Sequence, residues 1–402
     1  NLIIVTAVNE NAINGKSAAG CTKLGEAALK ACADMLGTPI QYGGYPIFEW
    51  QSVPYQLKGA GTAENPYKIS TKEDLEHLRD FINSSYYNQV YSGVYFVQTA
   101  DIDLKDELWI PIGSAESKQV FHGSYDGACH YIKGLNINTD TEYAGLFGVA
   151  TDASLSDIVV TGSITGFGTY SGGIAGQADN TKLERCAFVG DVSAETTSGG
   201  LVGTMINGGI ISDCYHNGII YSNKYAAGII GSIFFEEDVK EHNIVIQNCY
   251  QANGTVSGKK YSGCIAGDCT IKKETGNMVS ILNCFATTDA DAEVDLENVA
   301  KNNTLLVTKS MLKNSSEDLG EQFINHTDAT LNNGYPVFKW QVSSTVLGDV
   351  NNDGRFDVSD VVMMQKWILG FDQITNWANG DWNENHQINV IDLCLMKQKI
   401  KI

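Results

Sequence analysis

Basic residues are scarce in this 402-residue chain. Lys and Arg number 27 against 47 Asp and Glu, for a formal net charge of −20. Phosphate backbones are held by clustered Lys and Arg, so nucleic acid is excluded as a partner. No apolar run reaches the length of a bilayer span, and no basic amphipathic stretch addresses a membrane surface. Proline is sparse as well, with 6 residues against 41 glycines, a balance that suits many tight turns. No Ser-His-Asp, His-Glu-x-x-His or Cys-His pattern stands out among the 7 histidines. The opening, Asn1-Leu2-Ile3-Ile4-Val5, lacks the charged n-region and cleavage signal of a secretory peptide and reads as a cut end.

Hydrophobic residues make up 43% of the chain, enough for a real core, and the length has room for two or three domains. The 10 cysteines do not read as a disulfide framework, because four of them recur at matching repeat positions as buried small hydrophobes do. Pairing of Cys21 with Cys32, or of Cys264 with Cys269, stays open at this point.

Repetition is the strongest fold signal. Ala144-Gly145-Leu146-Phe147-Gly148 returns as Gly172-Gly173-Ile174-Ala175-Gly176, Gly199-Gly200-Leu201-Val202-Gly203, Ala227-Gly228-Ile229-Ile230-Gly231 and Gly263-Cys264-Ile265-Ala266-Gly267. The closing glycines step by 28, 27, 28 and 36 residues. A second motif alternates with the first, around Asp157-Ile158, Cys186, Asp213-Cys214, Asn248-Cys249 and Asn283-Cys284. A unit this short cannot bury its own apolar face and must stack on its neighbours. The expected fold is therefore mostly β, a right-handed β-solenoid (β-helix) with Cys186, Cys214, Cys249 and Cys284 in an inward ladder. The glycines lack the Lys-Ser/Thr ending and following helix of a phosphate loop and are read as coil corners.

These residues resemble the GLUG repeat of large bacterial surface and secreted proteins. The segment ahead of them fits that family's entry: Gly61 to Tyr67, a capping box opening at Ser70 and Glu73, then Leu75, Leu78 and Ile82 at helical spacing. A helix is predicted from about 72 to 83, with the β region beginning at Tyr95. The resemblance covers roughly 59–341.

Residues 44–51, Gly-Tyr-Pro-Ile-Phe-Glu-Trp-Gln, match residues 334–341, Gly-Tyr-Pro-Val-Phe-Lys-Trp-Gln, at six of eight positions. Residues 22–37 loosely echo 308–320. Residues 1–58 are thus read as the end of a preceding domain of the same kind, and the chain as the C-terminal part of a longer protein in which a catalytic domain could lie upstream.

The sharpest chemistry lies in residues 345–402. Asp349, Asn351, Asp353, Asp357 and Asp360 place oxygen side chains at positions 1, 3, 5, 9 and 12 of one loop, with the Arg355 carbonyl at position 7 and Gly354 at the bend. A calcium ion takes six to eight oxygens, and this spacing wraps them around one centre. A second copy, 32 residues on, offers Asp381, Asn383, Asn385, the Gln387 carbonyl, Asn389 and Asp392. Phe356 and Ile388 at position 8 point to a core, and helices follow with Val361, Met364, Ile368 and Leu393, Met396, Ile400 inward. Solvated Asp/Asn turns are the bland reading, and two loops in register argue against it. Two calcium ions are expected, the first held more tightly because its loop carries four carboxylates against two. His386 stands at the bend position of the second loop, where a positive φ is usually needed, and His is among the residues that tolerate it.

This tandem resembles a dockerin, the calcium-dependent plug that docks on a cohesin of a scaffoldin in cellulosome-type assemblies. The resemblance implies partner contacts at Val358, Ser359, Gln365 and Lys366 in the first copy, and at Val390, Ile391, Lys397 and Gln398 in the second. Internal packing is the alternative for Val390 and Ile391. The family's commoner Ser-Thr pair is missing from both copies, so the cohesin subtype does not carry over.

Polysaccharide enzymes also use β-helices, and they need clustered carboxylates. Asp101 and Asp103 share a strand face, while Asp157 and Asp213 sit at equivalent turn positions, where the other copies carry Glu184, Gln/Asn or Asn, so no catalytic residue is assigned. The expected protein is secreted or bound to a bacterial cell surface and docks on a cohesin. Its solenoid is a spacer or an adhesive contact for polysaccharide or a host surface, with Tyr170, Tyr221, Tyr225 and Tyr261 as candidate sugar platforms. The alternative is a lyase or glycoside hydrolase.

Overall fold

In a computed structural model, the chain divides into two compact units, residues 1–58 and 59–402. The structure describes residues 57–83, 93–113, 119–138, 140–237, 239–252, 254–270, 275–287, 301–326, 329, 331–342, 347–351, 356–371, 374, 377–383 and 388–400. Before residue 57 it describes four short strands: Leu2–Ile3 parallel to Cys21–Thr22, and Gln41–Tyr42 antiparallel to Tyr45–Pro46. Cys32 and most of 44–51 lie outside these residues, so a Cys21–Cys32 pair and the fold of the first eight-residue motif do too.

The second unit opens with strand Tyr67–Ile69, helix Lys72–Asn83 and strand Tyr95–Gln98. Leu75 and Leu78 are fully buried and Ile82 nearly so, the face that the helical spacing predicts. The capping box sits one residue later than expected. Thr71 Oγ1 accepts from the Asp74 amide at 3.1 Å and Asp74 Oδ2 accepts from the Thr71 amide at 2.9 Å, so Thr71 and Asp74 replace Ser70 and Glu73.

From residue 95 to 287 successive turns of chain stack as parallel strands. Phe147, Ala175, Val202, Ile230 and Ala266 pair in register. So do Val159, Ala187, Tyr215, Tyr250 and Phe285. A narrower sheet of Tyr143–Ala144, Tyr170–Gly172, Thr197–Gly199, Tyr225–Ala227 and Tyr261–Gly263 forms another side. The repeat glycines mark close approaches rather than bends alone. A Cβ on Gly176 would lie 2.7 Å from the Tyr143 side chain, and one on Gly231 2.7 Å from that of Thr197. A further column escaped the sequence reading: Cβ atoms on Gly190, Gly218 and Gly254 would fall within 1.8–2.0 Å of the carbonyl oxygen of Gly162, Gly190 and Gly218 respectively.

Corner residues Asp157, Arg185, Asp213, Asn248 and Asn283 all adopt positive φ, between 50° and 55°. The position equivalent to Asp157 and Asp213 is therefore Arg185, not Glu184. Next to this corner, Cys186, Cys214, Cys249 and Cys284 are fully buried in a column. Their thiols donate to main-chain carbonyls, as Cys214 Sγ does to Ser212 at 3.0 Å. Cys264 and Cys269 are not joined in a disulfide.

The segment after the last coil folds back along the stack. Asn332 accepts from Asn217 Nδ2 at 2.7 Å and donates to Tyr250 Oη at 2.8 Å. Gln341 accepts from Tyr215 Oη and donates to Tyr131 Oη, each at 3.0 Å. Phe323 and Phe338 pack against the stacked rings of Tyr215 and Tyr250. The eight-residue motif at 334–341 is thus a latch that covers the aromatic flank of several coils.

Candidate functional site

Helices Val358–Ile368 and Val390–Lys399 pack through a core of Val350, Val361, Met364, Ile388, Leu393 and Met396. Phe356, Ile368 and Ile400 are half-buried against it, and Phe356 meets Trp382 at 5.3 Å between ring centroids. Both inward faces match the periodicity of the sequence.

Each loop is closed by its own twelfth residue. Asp360 Oδ1 accepts from the Val350 and Asn351 amides at 3.0 and 3.2 Å, while Oδ2 accepts from Asp357 at 2.9 Å. Asp392 does the same toward Asn383 and Asn389, at 3.3 and 2.9 Å. Positions 9 and 12 also form the capping box of the following helix, Asp357 with Asp360 and Asn389 with Asp392. Helix start and loop closure are therefore one device.

Asp349, Asp360, Asp381 and Asp392 are all buried. Burial pushes the Asp360 carboxyl up, three backbone N–H bonds oppose this, and the charge of Asp349 adds to it. Two buried carboxylates that repel each other form a donor set that a hard divalent cation would relieve. Asn351 and Asp357, Asn383 and Asn389 lie on the same loops. Asp353, Gly354 and Arg355, and Asn385, His386 and Gln387, lie outside the described residues. Among the described residues alone, no group of three His, Cys, Asp or Glu side chains converges at metal-binding distance.

The residues implied for partner contact are exposed: Val358 and Val390 by 59%, Ile391 by 55%, and Ser359, Gln365, Lys366, Lys397 and Gln398 likewise. Internal packing of Val390 and Ile391 is thus not what the structure holds. Lys397 Nζ approaches Gln365 Oε1 at 3.5 Å, so the two copies present one contiguous surface. Sequence reading missed Val362, Leu369 and Phe371, exposed apolar residues on or just beyond the first helix. The signal was present, since Val362 and Leu369 follow Val358 at helical spacing.

On the solenoid, the sequence-flagged carboxylates hold structural bonds. Asp157 takes a bidentate pair from Arg185, both bonds 2.7 Å, and Asp213 accepts from Asn248 at 3.1 Å. Asp101 pairs with Lys133 at 2.9 Å and accepts from the Tyr131 amide at 3.0 Å, and Asp103 accepts from the Lys105 amide at 2.8 Å. Burial alone would raise the Asp101 carboxyl, but bonds from His130, Lys133 and Tyr131 hold it far below the usual range. The tyrosines fare differently. Tyr170 stacks on Tyr143 with centroids 5.4 Å apart, and the Lys260 ammonium lies over the Tyr225 ring at 4.9 Å, so faces of both rings are taken. Tyr221 is exposed and donates to Asn223.

Comparison with known proteins supplies the family of one part. Residues 347–401 match the dockerin type I domain. A dockerin implies docking on a cohesin in a cellulosome-type assembly, with calcium as its ion. Two relatives match part of the chain: a candidate Gly-rich membrane protein of Evansella cellulosilytica, 33% identical over 135 residues, and halomucin of Haloquadratum walsbyi, 33% identical over 159. The matches cover 31% and 36% of this chain but only 15% and 2% of the relatives' own lengths. Among solved structures, a candidate immunoglobulin A1 protease from Bacteroides ovatus aligns with a TM-score of 0.48 and 21% identity, over 70% of this chain and 94% of that one. No helix among the described residues is long and apolar enough to cross a membrane.

Proposed function

We propose that residues 347–401 anchor the chain to a cohesin of an extracellular or cell-surface scaffold, with two calcium ions holding the plug in shape. The observation that carries this reading is the matched pair of loops, each closed by a buried twelfth-position Asp that also caps the next helix. In the first loop Asp349, Asn351, Asp353, Asp357, Asp360 and the Arg355 carbonyl would hold the tighter ion. In the second, Asp381, Asn383, Asn385, Asn389, Asp392 and the Gln387 carbonyl would hold the weaker, since ligand charge sets affinity.

The two recognition faces are not equivalent. Val358, Val362 and Leu369 make the first helix the more apolar, so it is read as the dominant cohesin contact and the second as its rim. The solenoid, read as a right-handed stack of GLUG-type repeats, serves as the contact or spacer module that the plug holds in place, without catalysis of its own. Structural bonding at Asp101, Asp103, Asp157 and Asp213 supports that non-catalytic role.

Calorimetric titration of the full chain against a panel of cohesins, with calcium and with chelator, tests the reading. Calcium-dependent binding that is lost in Asp349→Ala and Asp360→Ala is the expected result. Normal calcium uptake with no binding to any cohesin would leave only a structural calcium module.

A further inference from the structure

An open trough of about 540 Å³ runs along one flank of the solenoid, on a face that the docking reading does not use. It lies along a single column of outward residues. Tyr95, Ser124, Ser154, Lys182 and Ile210 pair in register on five successive parallel strands. At a strand spacing of about 4.8 Å, the four steps from Tyr95 to Ile210 span roughly 19 Å. Their neighbours in the chain, Phe96, Tyr125, Leu155, Leu183 and Ile211, are buried, so the alternation of each strand turns this column outward.

The relief of the trough follows from residue size. Ser124 and Ser154 give a low hydroxyl floor, extended by Gly123, Ala153 and Gly209. Tyr95, exposed by 39%, and Ile210, exposed by 38%, stand at its two ends as apolar surfaces. One edge is polar and locked: Asn180 Nδ2 donates to Asp152 Oδ1 at 2.7 Å, and a His122 ring nitrogen lies 2.9 Å from the Thr151 carbonyl oxygen. Lys182 Nζ is held by Glu184 at 2.8 Å, which keeps its charge neutralised beside the floor.

We propose that this trough binds a neutral, linear oligosaccharide lying along the solenoid axis. A sugar chain has what the trough asks for: apolar ring faces to lie on Tyr95 and Ile210, and hydroxyls that donate and accept in turn along its length. Serine hydroxyls and the Asp152–Asn180 pair supply both roles on a repeat set by the strand spacing. Acidic glycans are disfavoured, because the Lys182 ammonium lining the trough is paired with Glu184 while Asp152 sits at its edge and the chain carries a net charge of −20.

The test is calorimetry on the full, calcium-loaded chain with cellohexaose, xylohexaose and mannohexaose, and with a galacturonic acid hexamer as the anionic comparison. Binding of at least one neutral hexaose is expected, weakened tenfold or more by Tyr95→Ala and abolished by Ser154→Tyr, which fills the floor. Phe167→Ala, at an exposed residue outside the trough, should leave it unchanged. A thermal melt equal to that of the parent chain shows that each variant is folded. The proposal is overturned if no neutral hexaose binds, if only the galacturonate hexamer binds, or if binding survives both Tyr95→Ala and Ser154→Tyr. Cohesin binding by the same variants is expected to be normal, so failure here is separable from failure of the docking reading.

Discussion

His216 shows how a single residue ties this fold to pH. It is fully buried, stacked on Phe188, with one ring nitrogen 3.0 Å from the Gly190 carbonyl and the other without a hydrogen-bond partner. Burial holds its pKa down, to about 4. Between that value and the ordinary 6.5 the unfolded chain binds the proton and the folded chain does not, so stability falls as pH drops through this window and levels off below it. The full loss is on the order of 3 kcal/mol. Chemical denaturation at pH 7 and pH 4 should show it, and His216→Gln should flatten the difference. The cysteine column makes a second residue-level prediction. Burial pushes the thiols of Cys186, Cys214 and Cys249 well above the usual range, whereas Cys394 is exposed. Brief iodoacetamide treatment followed by mass spectrometry should label Cys394 and leave those three unmodified until the chain is unfolded.

Elements here are held by columns that run across the coils. In Gly190→Ala the new methyl would sit 1.8 Å from the Gly162 carbonyl oxygen, and backbone cannot give way as a side chain would. A loss of about 3 kcal/mol or more is expected in urea melts, while Gly370→Ala meets no atom within 4 Å and is limited to the strain of its positive φ. The latch is an element of another kind, tied on by polar bonds over an aromatic bed. Asn332→Ala removes the partner of the Asn217 amide and one partner of the Tyr250 hydroxyl inside that interface. Buried donors left unsatisfied cost about 1–3 kcal/mol each, and a drop of that size in denaturant stability measures how firmly the latch holds the flank.

At the scale of the whole molecule, the helical plug and the solenoid have separate cores: one around Met364 and Met396, the other along Tyr215 and Tyr250. Calcium should act on the first and not on the second. In differential scanning calorimetry, chelation is expected to lower a transition of residues 347–401 and leave the solenoid transition in place. A single transition shifted as a unit would instead show the two melting together. On the reading proposed above, the plug would anchor the chain while the parallel stack offers a flank, and the two present different sets of exposed residues.

Much of this was legible in the chain itself. Repeat length, loop spacing and the inward faces Val361–Met364 and Leu393–Met396 are properties of order along the sequence, and they needed no partner to be read. The Asp/Asn corner positions were legible as turns, although the repeat alignment mistook Glu184 for Arg185, because only the backbone at positive φ marks which of two adjacent polar residues holds the corner. What the sequence by itself could not decide is what meets across coils. Tyr95 and Ile210 share one column only because the turn lengths between them sum to a common register. Residues 334–341 were recognisable as a repeated ending, yet their role as a latch depends on Tyr131, Tyr215 and Tyr250 arriving on one flank from three different coils, the first two on Gln341 and the third on the Pro336 carbonyl. Local spacing sets the elements; register, accumulated over the whole stack, sets which side chains become neighbours.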